Sequence, residues 1–131
     1  MIVLLLAAAA LLFAYLSNRL LLRYLHENAV IYGAPILEEL IKTLPAYLLN
    51  RPVFYVHLAF GIGEAAYDMI TGGGRTGRTA AALSVLSHSL FGAAAVFIIQ
   101  LTGSILTALI ISMGCHLAWN YTIMKSGRSR K

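Results

Sequence analysis

The sequence predicts an all-α fold, a polytopic membrane bundle of about five transmembrane helices. Of the 131 residues, 60% are hydrophobic and only 11% are charged, whereas soluble domains carry roughly 25% charged residues. The apolar residues also fall into runs close to the 20 or so residues that a bilayer-spanning helix needs. We therefore expect a single integral membrane domain over residues 1–131, without a soluble domain.

Each predicted span is an apolar run bounded by charged or turn-forming residues. The first run has no basic residue before it and exceeds the roughly 7–15 residues of a signal-peptide core, so we expect a retained helix. The second contains Pro35 and Pro45, each of which can kink a helix or free backbone carbonyls. The Gly72-Gly73-Gly74 turn separates the third and fourth. The predicted spans are residues 2–22, 29–49, 54–70, 79–101 and 104–124.

The basic residues set the predicted orientation. Alternating spans leave only Arg51 on one side of the membrane, and the loops and tail on the other side carry eight basic residues: Arg19, Arg23, Arg75, Arg78, Lys125, Arg128, Arg130 and Lys131. Basic loops stay in the cytoplasm, which predicts a multi-pass protein of the cell (inner) membrane with its N-terminus outside and its C-terminus cytoplasmic. The bilayer is the expected partner. Nucleic acid is not expected, because the basic residues are divided among loops.

Ionisable side chains recur at one depth in these apolar spans. A rise of 1.5 Å per residue places Glu38, Glu39, Glu64, His88 and His116 near the middle of a hydrocarbon core about 30 Å thick. Each such group costs about 2.5–3.5 kcal/mol on insertion scales, so their agreement in depth predicts a shared intramembrane site. The ionisable residues near span ends are expected outside that site: His26, His57 and Asp68.

Helical spacing predicts how these groups pair. Glu38 and Glu39 precede Lys42 by four and three residues, so the ammonium can neutralise whichever carboxylate faces it. Adjacent residues point about 100° apart around a helix, which leaves the other carboxylate free to face a cavity. Two further pairs share a helical face through i,i+4 spacing: Phe60 with Glu64, and His116 with Asn120.

These motifs resemble the four successive motifs of the PrsW-type intramembrane proteases. That group belongs with the CAAX prenyl endopeptidases in the CPBP (Abi) superfamily. The motifs occur in the same order on separate helices, within a motif-bearing core of about residues 29–124: Glu38-Glu39-x-x-Lys42, Phe60-x-x-x-Glu64, His88 in a Ser-His-Ser-Leu-Phe-Gly context, and His116-x-x-x-Asn120. Lys42 stands where the CAAX branch has a more distal arginine, which favours the PrsW-like branch.

The resemblance implies an intramembrane endopeptidase that needs no cofactor. Its substrate would be a membrane protein or a lipidated peptide, cut within or beside the membrane. Glu38 would act as the general base on a water that His88 helps to position. His116 and Asn120 would face the oxyanion of the tetrahedral intermediate, since both can donate hydrogen bonds.

The remaining motif residues are given supporting roles. Glu39 and Lys42 would brace the site beside Phe60, and Glu64 would share a proton or act as general acid. A zinc-dependent mechanism is the alternative within the family, because histidines and carboxylates can hold zinc with one position open to water. Its candidate ligands are Glu38, Glu64, His88 and His116.

Two other classes stay open at this stage. A set of Glu, His and Lys at the midplane is also typical of a proton- or metal-ion-coupled transporter, which a homo-oligomer of five-helix subunits can form. The third interpretation is a non-catalytic membrane scaffold of the same superfamily. The intact set of acid, base and oxyanion residues favours the protease over the scaffold.

Overall fold

A computed structural model describes residues 1–26 and 28–128, and side chains as far as residue 126. This part of the chain is helical, with five α-helices: α1 (Ile2–Leu25), α2 (Ala34–Leu48), α3 (Val53–Gly72), α4 (Gly74–Thr102) and α5 (Ile105–Arg128). A π-helical turn, Ala29–Gly33, leads into α2. The predicted all-α class is confirmed, and each helix falls on one of the predicted apolar spans, although α2 begins at Ala34 rather than at residue 29. By length and composition, α1 and α4 are able to cross a membrane.

Helices that follow one another along the chain run in opposite directions. His57 near the start of α3 meets Gly92 in the second half of α4, and Phe91 of α4 stacks on His116 of α5. Asn18 of α1 likewise contacts Glu38 of α2. One end of the bundle, here called the basic end, therefore collects the C-terminal ends of α1, α3 and α5 and the start of α4.

The basic end carries most of the described basic side chains: Arg19, Arg23, Arg75, Arg78 and Lys125. Arg51 lies at the opposite end, before α3. The expectation that Arg75 and Arg78 belong to a loop is wrong, because α4 begins at Gly74. The turn is confined to Gly73 and Gly74, whose φ angles of +60° and +47° favour glycine. The predicted tail residues Arg130 and Lys131 lie outside the described residues.

Glycines bring α3 and α4 into close contact along their whole length. A Cβ atom at Gly92 would lie 2.7 Å from Cβ of His57, and one at Gly61 would lie 2.9 Å from Cβ of His88. At the basic end, a Cβ at Gly72 would lie 2.9 Å from Cα of Gly77. The two helices therefore keep one antiparallel register, and that register aligns both histidines with the interior.

Replacing Gly92 by alanine is expected to destabilise the bundle by about 1–3 kcal/mol, the usual cost of overpacking. The added methyl group would collide with the fully buried His57. Gly114→Ala is the matched control, since no atom lies within 4 Å of a Cβ at that position. The free energy of unfolding of both variants is measured in mixed detergent micelles. Equal stability of the two variants would contradict close α3–α4 packing at Gly92.

Small and apolar side chains fill the half of the bundle away from the basic end. One cluster joins four helices through Ala7, Ala46, Val53, Val56 and Ala95. Ala46, Val56 and Ala95 have no exposed surface, and neither do Phe60 and Ala108. This half is therefore a packed core, and the cavity described below lies on the other side of it.

Candidate active site

A buried ion pair lies at the centre of the site. Nζ of Lys42 is 2.7 Å from Oε1 of Glu39, and both side chains are fully buried. The same ammonium lies 4.4 Å from the centre of the Phe60 ring, a cation–π contact. The predicted pairing of Lys42 with one of its two neighbouring glutamates is thus confirmed for Glu39. Truncating either partner would leave an uncompensated buried charge.

Lys42 also fixes the hydrogen bonding of His88. Its Nζ lies 2.9 Å from Nδ1 of His88, and Nε2 of that ring lies 2.5 Å from Oε2 of Glu64. A lysine ammonium only donates, so Nδ1 is the acceptor and Nε2 carries the proton, which it donates to Glu64. In this tautomer, which is assigned from the donors and acceptors around the ring, both ring nitrogens of His88 take part in a hydrogen bond.

His116 lies between the two adjacent glutamates. Its Nδ1 is 3.1 Å from Oε1 of Glu39, and its Nε2 is 3.9 Å from Oε2 of Glu38. With Nδ1–H donating to Glu39, Nε2 faces Glu38 as an acceptor. The ring stacks on Phe91 at a centroid distance of 4.6 Å, which fixes its plane. The gap between Nε2 and Glu38 is too long for a direct hydrogen bond, and a bridging water would satisfy both groups.

Glu38 is the buried carboxylate that faces the cavity. It is 4% exposed, and its Oε1 accepts a hydrogen bond of 3.1 Å from Nδ2 of Asn18 on α1. Sequence reasoning missed Asn18. The helical spacing of α1 could have identified it. Ala7, Ala10 and Ala14 form the buried face of α1, and Asn18 extends that face by one turn.

Asn120 is held by a backbone carbonyl that proline has freed. The Ala34 N–H bonds to the carbonyl of Ala29 in the π-helical turn, and Pro35 has no N–H to offer. The carbonyl of Val30 accepts instead from Nδ2 of Asn120 at 2.9 Å. The expectation that a proline would free a carbonyl toward the site is therefore confirmed at Pro35. The second N–H of the Asn120 amide remains for another acceptor.

His57 corrects an expectation from the sequence. Its position near a predicted span end suggested an interfacial residue, but it is fully buried and hydrogen-bonded to Oγ1 of Thr43 at 2.9 Å. Its Nδ1 lies 3.9 Å from Oε2 of Glu39, and neither atom has a hydrogen-bond partner among the described residues. Spacing of seven residues puts His57 on the same face as Glu64, and this signal could have identified it.

A cavity of about 990 Å³ connects the cluster to the basic end. Glu38, His88 and His116 line its deep part, and the side chain of Glu64 is 31% exposed into it. Asp68 also lines the cavity, where it accepts a hydrogen bond of 2.7 Å from Oγ of Ser84. The expectation that Asp68 lies outside the site is therefore wrong, because this half-buried residue lines the same cavity as Glu38 and His88.

Three of the predicted residues have the geometry of a small metal site. Glu38, His88 and His116 each offer one ligand atom, and these atoms lie within 4.8 Å of one another. His88 fits this role poorly. Binding a cation through Nε2 would move its proton to Nδ1, where it would oppose the Lys42 ammonium 2.9 Å away.

The fold and the site together define a helical bundle with an ionisable interior and a cavity that opens from it. Around that interior stand three carboxylates, three histidines and one lysine: Glu38, Glu39, Glu64, His57, His88, His116 and Lys42. No protein-family model, curated protein or solved structure matches the chain. The family resemblance therefore rests on the motif residues alone.

Proposed function

We propose that the protein is a multi-pass protein of the cell (inner) membrane in which all five helices cross the bilayer, with the basic end in the cytoplasm. Large apolar side chains cover the outside of the bundle, and Leu4, Leu12, Leu90 and Phe97 are each more than half exposed. A polar interior with an apolar exterior suits a lipid environment. The bond from Asn18 to Glu38 supports a retained α1.

We further propose that the cluster is the active site of an intramembrane endopeptidase. The observation that carries this proposal is the contrast among the three glutamates. Oε1 of Glu39 accepts from both Lys42 and His116, and Glu64 accepts from His88. Among the described residues, Glu38 accepts only from Asn18, and it lines the cavity with Nε2 of His116 3.9 Å from its Oε2.

In the mechanism that follows, Glu38 removes a proton from water as the oxygen attacks the peptide carbonyl carbon. The tetrahedral intermediate then collapses, the C–N bond breaks, and the proton held by Glu38 passes to the leaving amine. The second N–H of Asn120 stabilises the oxyanion. The products are a new carboxyl terminus and a new amino terminus.

The neighbouring groups keep Glu38 in position. Lys42 neutralises Glu39, which in turn orients His116 through Nδ1. Lys42 also directs the proton of His88 toward Glu64, which holds the ring of His88 in place. These contacts hold the reacting groups before substrate arrives, and such preorganisation is a large part of enzymatic rate enhancement.

The direct test uses the purified chain reconstituted in liposomes with a mixture of synthetic transmembrane peptides. Mass spectrometry is expected to detect internal cleavage, with a new amino and a new carboxyl terminus from each cut bond. Peptides that stay intact in the presence of folded protein would contradict the proposal. Glu38→Gln serves as the inactive reference for background proteolysis.

Chelation is expected to leave cleavage unchanged. The Lys42 ammonium beside Nδ1 of His88 opposes a cation at that ring, so a metal-free mechanism is favoured over a zinc-dependent one. The measurement compares turnover before and after dialysis against 1,10-phenanthroline, together with elemental analysis of the purified protein. Stoichiometric zinc, whose removal abolishes cleavage and whose return restores it, would overturn the metal-free mechanism.

A proton-coupled carrier is the second candidate function, because one observation favours it. Buried polar contacts form a continuous chain from Glu64 through His88, Lys42 and Glu39 toward His57. The hydrolase is preferred because, among the described residues, this chain continues from His57 only to Thr43, and both side chains are fully buried. Proton flux across liposomes that contain the protein distinguishes the two: a hydrolase does not dissipate a pH gradient.

A further inference from the structure

The cavity reaches the surface at one end of the bundle. Beyond Glu38 and His88 its walls come from the last turns of α1 and α3, the π-helical turn before α2, and the first turns of α4. Arg75, Thr76 and Thr79 stand at its mouth and are exposed. In the opposite half, the fully buried His57, Val56 and Ala95 leave no comparable passage among the described residues.

Both α4 and α5 line the cavity in their halves nearer the basic end. The two helices contact each other from mid-helix, where Phe91 stacks on His116, toward their connection, where Ala95, Ala108 and Ser112 are buried. Toward the basic end, the same antiparallel register would bring Ser84 opposite Ile123. Both residues line the cavity instead.

Direct contacts join other helix pairs around the cavity. The α3–α4 pair is closed by the contact of Gly72 with Gly77, and Asn18 links α1 to α2. Asn120 draws α5 toward the π-helical turn through its bond to Val30. The part of the cavity between the halves of α4 and α5 nearer the basic end is here called the slot.

The chemistry of the slot suits an extended polypeptide. A helical substrate has its backbone groups paired internally, so its peptide bonds are shielded, whereas an unwound stretch inside a membrane needs hydrogen-bond partners. Hydroxyl and amide groups provide them on both walls: Ser84 and Ser87 on α4, and Asn120 on α5. Trp119 adds a flat apolar wall beside them.

We propose that the slot takes up an extended, non-helical stretch of polypeptide that adjoins the basic face of the membrane and leads it to Glu38. This inference rests on the proposed function for the cleavage step, but the direction from which the cavity opens does not depend on it. The substrate class is thus a polypeptide that presents an unwound stretch at the cytoplasmic face, from which the slot leads it inward to Glu38.

The first test measures which face of the membrane reaches the cavity. Three serine-to-cysteine variants are made in a Cys115→Ser background, because Cys115 is exposed and would react. Ser84→Cys lines the slot, Ser112→Cys lies in the packed half, and Ser126→Cys is exposed at the basic end as an orientation marker. The probe is a membrane-impermeant quaternary-ammonium methanethiosulfonate, applied to either side of oriented vesicles.

The expected pattern is labelling of Ser84→Cys from the same side as Ser126→Cys and from that side only, with Ser112→Cys unlabelled from both sides. Labelling of Ser84→Cys from the opposite side, or its protection from both, would overturn the proposal. This readout needs no substrate. It therefore stands whether or not cleavage is detected.

The second test blocks the slot in a folded protein. Cleavage of the transmembrane-peptide mixture is compared before and after a bulky maleimide is attached to Ser84→Cys. Turnover is expected to fall by about 100-fold, the size of effect seen when a substrate is displaced from its reacting group. The same modification at Ser126→Cys is expected to leave turnover unchanged. Full turnover after modification of Ser84→Cys would overturn the slot, whereas absence of cleavage from every unmodified form would count against the proposed function itself.

Discussion

Lys42→Met is expected to lower the free energy of unfolding by about 3–5 kcal/mol, the cost of leaving one member of a buried ion pair uncompensated. Methionine fills a similar volume but has no ammonium group. The substitution therefore removes the charge 2.7 Å from Oε1 of Glu39 and the N–H donor 2.9 Å from Nδ1 of His88. The Lys42→Met variant is also expected to lose cleavage activity, because the His88 tautomer and the Glu39–His116 contact both depend on the ammonium. Unfolding in mixed micelles measures the first effect and the peptide assay the second.

A double-mutant cycle separates charge loss from packing loss. Glu39→Gln combined with Lys42→Met removes both charges, so the double variant is expected to be more stable than Lys42→Met alone. Lys125→Met is the matched surface control, because Lys125 is exposed on α5, and its effect is expected within about 0.5 kcal/mol. Additive losses in the cycle would contradict a coupled Glu39–Lys42 pair.

Glu38→Gln is expected to reduce turnover by about 10²–10⁴-fold or more, the contribution of a general base. The amide keeps the shape of the side chain, and its oxygen still accepts from Asn18, so the fold is expected to persist. What is lost is the capacity to take a proton from water. The measurement is the initial rate of peptide cleavage at equal concentrations of folded protein.

Glu64→Gln is the control for this substitution. It also neutralises a carboxylate beside the cavity, yet a glutamine oxygen still accepts the proton that His88 donates at Nε2. Its expected loss is therefore smaller than that of Glu38→Gln. If Glu64→Gln abolished cleavage and Glu38→Gln retained it, the assignment of the general base would move to Glu64.

The helices were predictable because each apolar run is punctuated by residues with strong local preferences. Gly73 and Gly74 adopt positive φ angles between α3 and α4, and Pro52 immediately precedes α3. The start of α4 was harder to predict, since Gly74 to Arg78 contain no apolar residue. They are helical because Gly77 packs against the end of α3. That contact is tertiary and leaves little local signal.

The centre of the site was predictable to a useful degree. Depth counting grouped Glu38, Glu39, His88 and His116, and these residues do lie together. Helical spacing alone could not say which glutamate pairs with Lys42, since both lie within one turn of it. The choice of Glu39 follows from the positions of His116 and Phe60 on other helices.

Two residues of the site depend on contacts that the motifs do not encode. Asn18 reaches Glu38 because the alanine face of α1 lets that helix approach closely, and α1 lies outside the motif-bearing core. His57 is buried because Gly92 has no side chain to exclude it and Thr43 provides a partner. His57 continues the helical face of Glu64 and Asn18 continues the alanine face of α1, so face continuity is a better guide than distance from a span end.

The central claim, that Glu38 activates water to cut a peptide bond, is tested most directly by isotope transfer. Cleavage of the transmembrane peptides in ¹⁸O-labelled water is expected to place one ¹⁸O atom in each new carboxyl terminus produced by the wild-type chain. No labelled terminus is expected from Glu38→Gln folded to the same extent. Labelled termini formed equally well by Glu38→Gln, or no labelled terminus from the wild-type chain, would contradict the account.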